Sequence, residues 1–152
     1  MSPSIYVSFD IHHDRELYER LLGESETSGF TVSGGSGAPI AAEISDTILR
    51  RRICDADQMI VICGEYSHTS SCMSDEIRIA QEEGTPYFLL WGRREAMCTK
   101  PIGARSSEGM YKWTPAILQD QIAISIRRRT HDLAIARRER RERQEMKESS
   151  VS

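Results

Sequence analysis

Three short runs, SIYVSF at residues 4–9, QMIVIC at 58–63 and PYFLLW at 86–91, are almost unbroken in apolar and β-favouring residues. A strand with one wet face alternates apolar and polar positions. Unbroken runs belong to strands covered by helices on both faces. The segments between them have the longer period of helices. DRELYERLLG, from Asp14, gathers Leu17, Leu21 and Leu22 on one side and is expected to stop at Gly23. IAAEISDTILRRRI spaces Ile40, Ile44 and Ile48 four residues apart, and SSCMSDEIRIAQEEG (residues 70–84) opens on a serine pair and closes on a glycine. A weaker run, FTVS at residues 30–33, reads as a short edge strand. Strands alternating with helices across short loops predict an α/β domain built on a parallel sheet.

The 152 residues supply one core and leave little for a second. No apolar run approaches the roughly 20 residues that span a bilayer. The first residues, MSPSIYVSFD, lack the basic and apolar regions of a secretion signal. The four cysteines, Cys54, Cys63, Cys72 and Cys98, form no CxxC pair, so reduced and mostly buried thiols in a cytoplasmic protein are expected. Residues 127–147 carry nine basic and four acidic side chains, a net of +5, whereas the rest of the chain carries a net of −8. This divides the chain into a domain over residues 1–126 and a charged helical extension over 127–152. The last helix is expected to begin at Pro115 and to dock through Ile117, Leu118, Ile122, Ile124 and Ile126, with Glu139 and Arg143 as one i,i+4 pair in the extension. Interleaved glutamates and the lack of aromatics argue for a solvated or partner-binding helix rather than one that holds nucleic acid.

One residue breaks the helical pattern. In the segment 70–84, Cys72, Met73, Ile77, Ile79 and Ala80 gather into an apolar face, and Glu76 falls in its middle, while Asp75 falls on the flank. An acidic residue in a first helical turn complements the macrodipole, which accounts for Asp75. It does not account for a carboxylate aimed at the core, and perturbed carboxylates of that kind collect at functional sites. Open parallel sheets bind ligands beyond the carboxyl ends of their strands, where the strand order reverses. With the order 2-1-3-4, that crevice lies between the first and third strands, and the helix of Glu76 starts from its edge. Phe9 and Asp10, ending the first strand, are expected to line it beside His68 and Ser71. Ser33, just before the glycine-rich GGSGAPI loop, and Pro39, within it, complete the expected binding set. That loop lacks the GK[ST] of a phosphate loop and reads as a segment that orders over a ligand. No His, Cys and carboxylate set has metal-ligand spacing, and GEYSHTS is not a nucleophile elbow.

Taken together, IYVSFD with HHDRE, DADQMIVICGEYSHTSS, DEIRIAQEEGTP and MYKWT resemble the TIR-like family of the Thoeris antiphage defence proteins, over about residues 4–123. The resemblance implies a flavodoxin-like TIR fold, with the sheet order 2-1-3-4 or 2-1-3-4-5 and helices on both faces. It implies NAD as a substrate rather than a bound cofactor, and Glu76 as the catalytic residue. It implies release of nicotinamide and formation of an ADP-ribose-derived messenger, expected to be cyclic, that switches on a separate effector. A homo-oligomer belongs to the same expectation. One carboxylate is enough for this chemistry. Glycosidic cleavage ordinarily takes two, but the nicotinamide of NAD is already cationic and leaves neutral, so it needs no general acid. What remains is to hold the ribose and stabilise positive charge at its anomeric carbon. A non-catalytic TIR adaptor, acting through TIR–TIR contacts, is the alternative. A phosphoacceptor receiver is disfavoured, because the third strand ends in Ile62-Cys63-Gly64 rather than an aspartate.

Overall fold

The computed structural model describes residues 2–37 and 46–150. Pro39, Ile40 and Ile44, to which the sequence gives places in the binding loop and second helix, lie outside the described residues. The elements run β1 (Ser4–Ser8), α1 (Arg15–Ser28), β2 (Thr31–Gly35), α2 (Asp46–Asp55), β3 (Gln58–Cys63), a single 3-10 turn (Ser67–Thr69), α3 (Ser71–Glu83), β4 (Tyr87–Trp91), β5 (Met110–Lys112) and α4 (Pro115–Ser150). The five strands form one sheet in the order β2-β1-β3-β4-β5, with every neighbouring pair parallel. The order reverses between β1 and β3, where the topology calls for a crevice, whereas the cavity described below lies on the other side of β1, toward β2 and α1.

Period-two alternation sorts the core into two layers. Ile5, Val7 and Phe9 join Ile60 and Ile62 of β3 against Leu17 and Leu21 of α1 and Leu118 and Ile122 of α4. Tyr6 joins Met59, Val61 and Cys63 against Ile53 of α2 and Met73, Ile77, Ile79 and Ala80 of α3. All six residues of β3 are buried, as its unbroken apolar run requires. β5 is only three residues long and largely exposed, so its sequence carries little apolar signal.

The structure corrects several expectations. α1 does not stop at Gly23 but runs on to Ser28 and ends at Gly29, whose φ of 78° is the left-handed geometry that favours glycine. A mid-helix glycine costs about 1 kcal/mol relative to alanine, and the burial of Leu21 and Ser25 on either side outweighs it. Cys72 is exposed rather than on the apolar face of α3, and Cys54 is half-buried, which leaves only Cys63 and Cys98 buried. In α4, Leu118 and Ile122 dock as expected, but Ile124 is exposed. As expected, the last helix begins at Pro115, and it continues through residue 126, where the composition changes. Arg143 donates from Nε to the backbone carbonyl of Glu139 (3.4 Å) rather than to its carboxylate. Among the described residues, no helix is long and apolar enough to cross a membrane.

Candidate active site

α3 begins where Ser70 accepts a hydrogen bond from the Met73 N–H (3.2 Å), and it ends at Gly84 in the left-handed conformation. Between these caps, the helical period carries Glu76 under the sheet beside Met73, Ile77 and Ala80. Asp75 turns outward and faces Arg78 (3.7 Å). Glu76 is only 2% exposed. It is not left unpaired there. The Ser8 hydroxyl donates to Oε1 (2.9 Å), the Ser36 hydroxyl donates to the same oxygen (2.6 Å), and the Tyr6 hydroxyl donates to Oε2. Tyr6 and Ser8 are two apart on β1 and therefore share the face toward α3. Ser36 follows β2, and its N–H donates to the Val7 carbonyl (3.0 Å), continuing the strand pairing by one step.

Burial dominates the electrostatics. It pushes the Glu76 carboxyl up from 4.5 to about 7, against the pull of the Ser36, Tyr6 and Ser8 hydroxyls, which stabilise the anion. Burial, reinforced by the adjacent carboxylate, raises the Tyr6 phenol far above its ordinary value, so it remains a donor. The Cys72 thiol is raised as well, first by burial and then by the carboxylates of Glu76, Asp75 and Asp10, which keeps it from acting as a thiolate nucleophile.

Ser36 also faces the other layer. Its Oγ accepts from the Phe9 N–H (3.0 Å) while donating to Glu76. It lines a cavity of about 380 Å³ together with Phe9, Ile11, His12, Arg15 and Tyr18. The Phe9 and Tyr18 rings stack with centroids 4.5 Å apart and planes 9° from parallel. A single hydroxyl thus joins the buried carboxylate to an aromatic-walled cavity bearing one arginine.

The residues marked by the sequence are only partly brought together. Phe9 lines the cavity and is linked to Glu76 through Ser36. Asp10 is buried at the same strand end, but it serves the first loop: its carboxylate accepts from the His12 N–H (3.0 Å) and lies 2.7 Å from His13 Nδ1. His68 is carried outward by the 3-10 turn, and its Nδ1 lies 2.8 Å from the Thr99 hydroxyl. Ser71 is exposed at the first position of α3. Ser33 donates to the Ile5 carbonyl (3.2 Å), so the strand consumes its hydroxyl and Ser36, three residues on, takes the place beside Glu76. Tyr6, Ser8 and Ser36 were missed. The alternation of SIYVSF could have flagged the first two as polar groups on one face of a buried strand. Nothing local marks Ser36, whose role depends on where β2 ends.

A second set of contacts fixes the loops at this end of the sheet. Arg93, after β4, donates to Asp14 Oδ1 from Nε (3.2 Å) and Nη2 (3.0 Å), to the His13 carbonyl (2.9 Å), and to Glu16. Asp14 is buried, and its Oδ2 has no hydrogen-bond partner among the described residues. Burial raises its carboxyl despite Arg93. Among the described residues, no cluster of three or more His, Cys, Asp or Glu is arranged to hold a metal ion.

No protein-family model and no curated protein sequence matches the chain. Solved structures do. A prokaryotic SEFIR domain superposes with a TM-score of 0.51 at 17% identity, covering 84% of this chain and 91% of its own. The TIR domains of the activated Roq1 resistosome, which directly recognises the pathogen effector XopQ, superpose with a TM-score of 0.47 at 13% identity over 59% of this chain. The match spans 57% of that second structure's length. With the sheet order 2-1-3-4-5, the likeness to the SEFIR domain shows a TIR-like, flavodoxin-like α/β fold.

Proposed function

We propose that the protein is a TIR-type enzyme that cleaves the nicotinamide–ribose bond of NAD, with Glu76 as the catalytic carboxylate. The observation that carries this reading is a core-buried glutamate, held by three hydroxyls from β1 and the end of β2 and joined through Ser36 to an aromatic-walled cavity. A carboxylate kept only for structure is costly at such a place, since burial has raised its pKa to about 7. As the anion, it offers a fixed negative charge in a low-dielectric setting, where stabilisation of an oxocarbenium-like carbon is strong. Tyr6 and Ser8 hold it from behind. Ser36 stands on the cavity side, so a ribose hydroxyl that takes over its hydrogen bond would bring the sugar to the carboxylate. Phe9 and Tyr18 present apolar ring surface, and Arg15 presents a cation suited to a diphosphate. The sequence resemblance extends this reading to an ADP-ribose-derived signal that activates a separate effector in antiphage defence.

The test is to incubate the purified protein with NAD and follow nicotinamide release and the ribosyl product by chromatography, beside Glu76→Gln. Release by the native chain and none by the variant is expected, with both proteins melting as folded. One observation favours the adaptor reading instead: Glu76 is 2% exposed and its hydroxyl partners all lie within the chain, as in a purely structural lock. In that case native protein releases no nicotinamide, and Glu76→Gln alters only stability or self-association.

A further inference from the structure

A second cavity, of about 430 Å³, opens at the carboxyl ends of β4 and β5 and shares no lining residue with the Glu76 site. Its walls are Trp91, Trp113 and Met110, and its cations are Arg20, Arg94 and Lys112; no acidic residue lines it. The volume falls in the range of small-molecule sites. One wall is preorganised. The Arg20 guanidinium lies over the Trp113 ring, 4.3 Å from its centroid. Glu24 accepts from Arg20 Nε (3.0 Å) and from Trp113 Nε1 (2.8 Å), fixing both. Arg20 is thereby neutralised, whereas Arg94 and Lys112 form no ion pair among the described residues. Outside residues 127–147 the chain carries a net charge of −8, so two uncompensated cations at one aromatic cavity run against its average.

We infer that this cavity binds a nucleotide, with the flat base against Trp91 and the Arg20–Trp113 stack and one or two phosphate groups on Arg94 and Lys112. Indole faces accept any base by stacking, and paired cations recognise phosphate oxygens through charge-assisted hydrogen bonds. Neither group alone distinguishes a nucleotide from a plain anion or a plain aromatic. Their juxtaposition does. The inference does not depend on NAD cleavage at Glu76.

The chain contains two tryptophans, and both line this cavity, so its intrinsic fluorescence reports on the site. Titration of the full chain with ADP, excited beyond nucleotide absorption and repeated by calorimetry, is expected to give a saturable change. Adenosine alone and pyrophosphate alone are expected to bind about tenfold more weakly or worse. The Arg94→Ala/Lys112→Ala double variant, altered only at exposed side chains, is expected to weaken ADP binding at least tenfold with an unchanged melting temperature. Glu76→Gln is expected to bind ADP as the native chain does. Absence of saturable ADP binding at millimolar concentration, pyrophosphate binding as tightly as ADP, full affinity in the double variant, or loss of ADP binding in Glu76→Gln would each overturn the inference.

Discussion

At the scale of single residues, the proposed chemistry and its pH dependence both turn on Glu76. Replacing it with glutamine keeps the shape and most of the hydrogen bonds but removes the charge, so NAD cleavage should fall by about 10²-fold or more. Asp75→Asn, on the exposed flank, should be far milder; the reverse ranking in a nicotinamide-release assay would overturn the assignment. The proposed cleavage needs the anion, so its rate should rise with pH through about 7, the value to which burial has pushed this carboxyl. Stability should move the other way. The folded chain binds the Glu76 proton more tightly than the unfolded chain, so this contribution is complete below the ordinary value of 4.5 and is lost as pH rises through about 7. The loss is on the order of 3 kcal/mol. Urea unfolding at a series of pH values should show the decline in the native protein and a flatter profile in Glu76→Gln. Gly64 is a different kind of constraint: a Cβ there would lie 2.0 Å from Asp14 Oδ2. Gly64→Ala should cost about 3 kcal/mol or more, because the buried carboxylate cannot retreat without leaving Arg93. Adding Asp14→Ala should recover part of that loss, which a double-mutant cycle would measure.

At the scale of elements, α3 is the part on which the site depends. Its start rests on the Ser70 side chain, so Ser70→Ala should lower stability by about 1 kcal/mol and the melting temperature by about 2–4 °C, readable in a thermal scan. This helix was legible in the sequence down to its caps and the inward turn of Glu76, because caps and a 3.6-residue period are local signals. β1, β3 and β4 were equally legible, since strands buried on both faces must be continuous in apolar residues. The true end of α1 was not, because the choice between Gly23 and Gly29 is made by what Leu21 and Ser25 bury against. Three of the polar partners of the first and third strand loops were expected at one pocket and are not. Asp10 and His68 spend their side chains on loops, and Ser71 stays outside. The serine that does reach Glu76 sits where two strand registers meet, and no window of adjacent residues encodes that.

At the scale of the whole molecule, the body and the distal half of α4 obey different physics. Every side chain from Arg137 to Lys147 is exposed, so among the described side chains deleting residues 137–152 removes almost no buried surface. The truncated protein should keep its melting temperature and the proposed NAD turnover, with any change confined to self-association or partner binding; a large loss of both would mean that the segment packs on the body. At about 1.5 Å per residue, the 36 residues of α4 extend roughly 54 Å, and among its described side chains the buried anchors are Leu118 and Ile122, both in the near part. A helical stretch without a packed face answers only to the helix–coil equilibrium, which loosens turn by turn as temperature rises. The two tryptophans lie in the body, whereas backbone circular dichroism sums over every helical turn. Heating should therefore split the two signals: a gradual loss of ellipticity, fraying from the far end, ahead of one sharp fluorescence transition. A single van't Hoff enthalpy cannot describe both curves, and removing residues 137–152 should make them coincide.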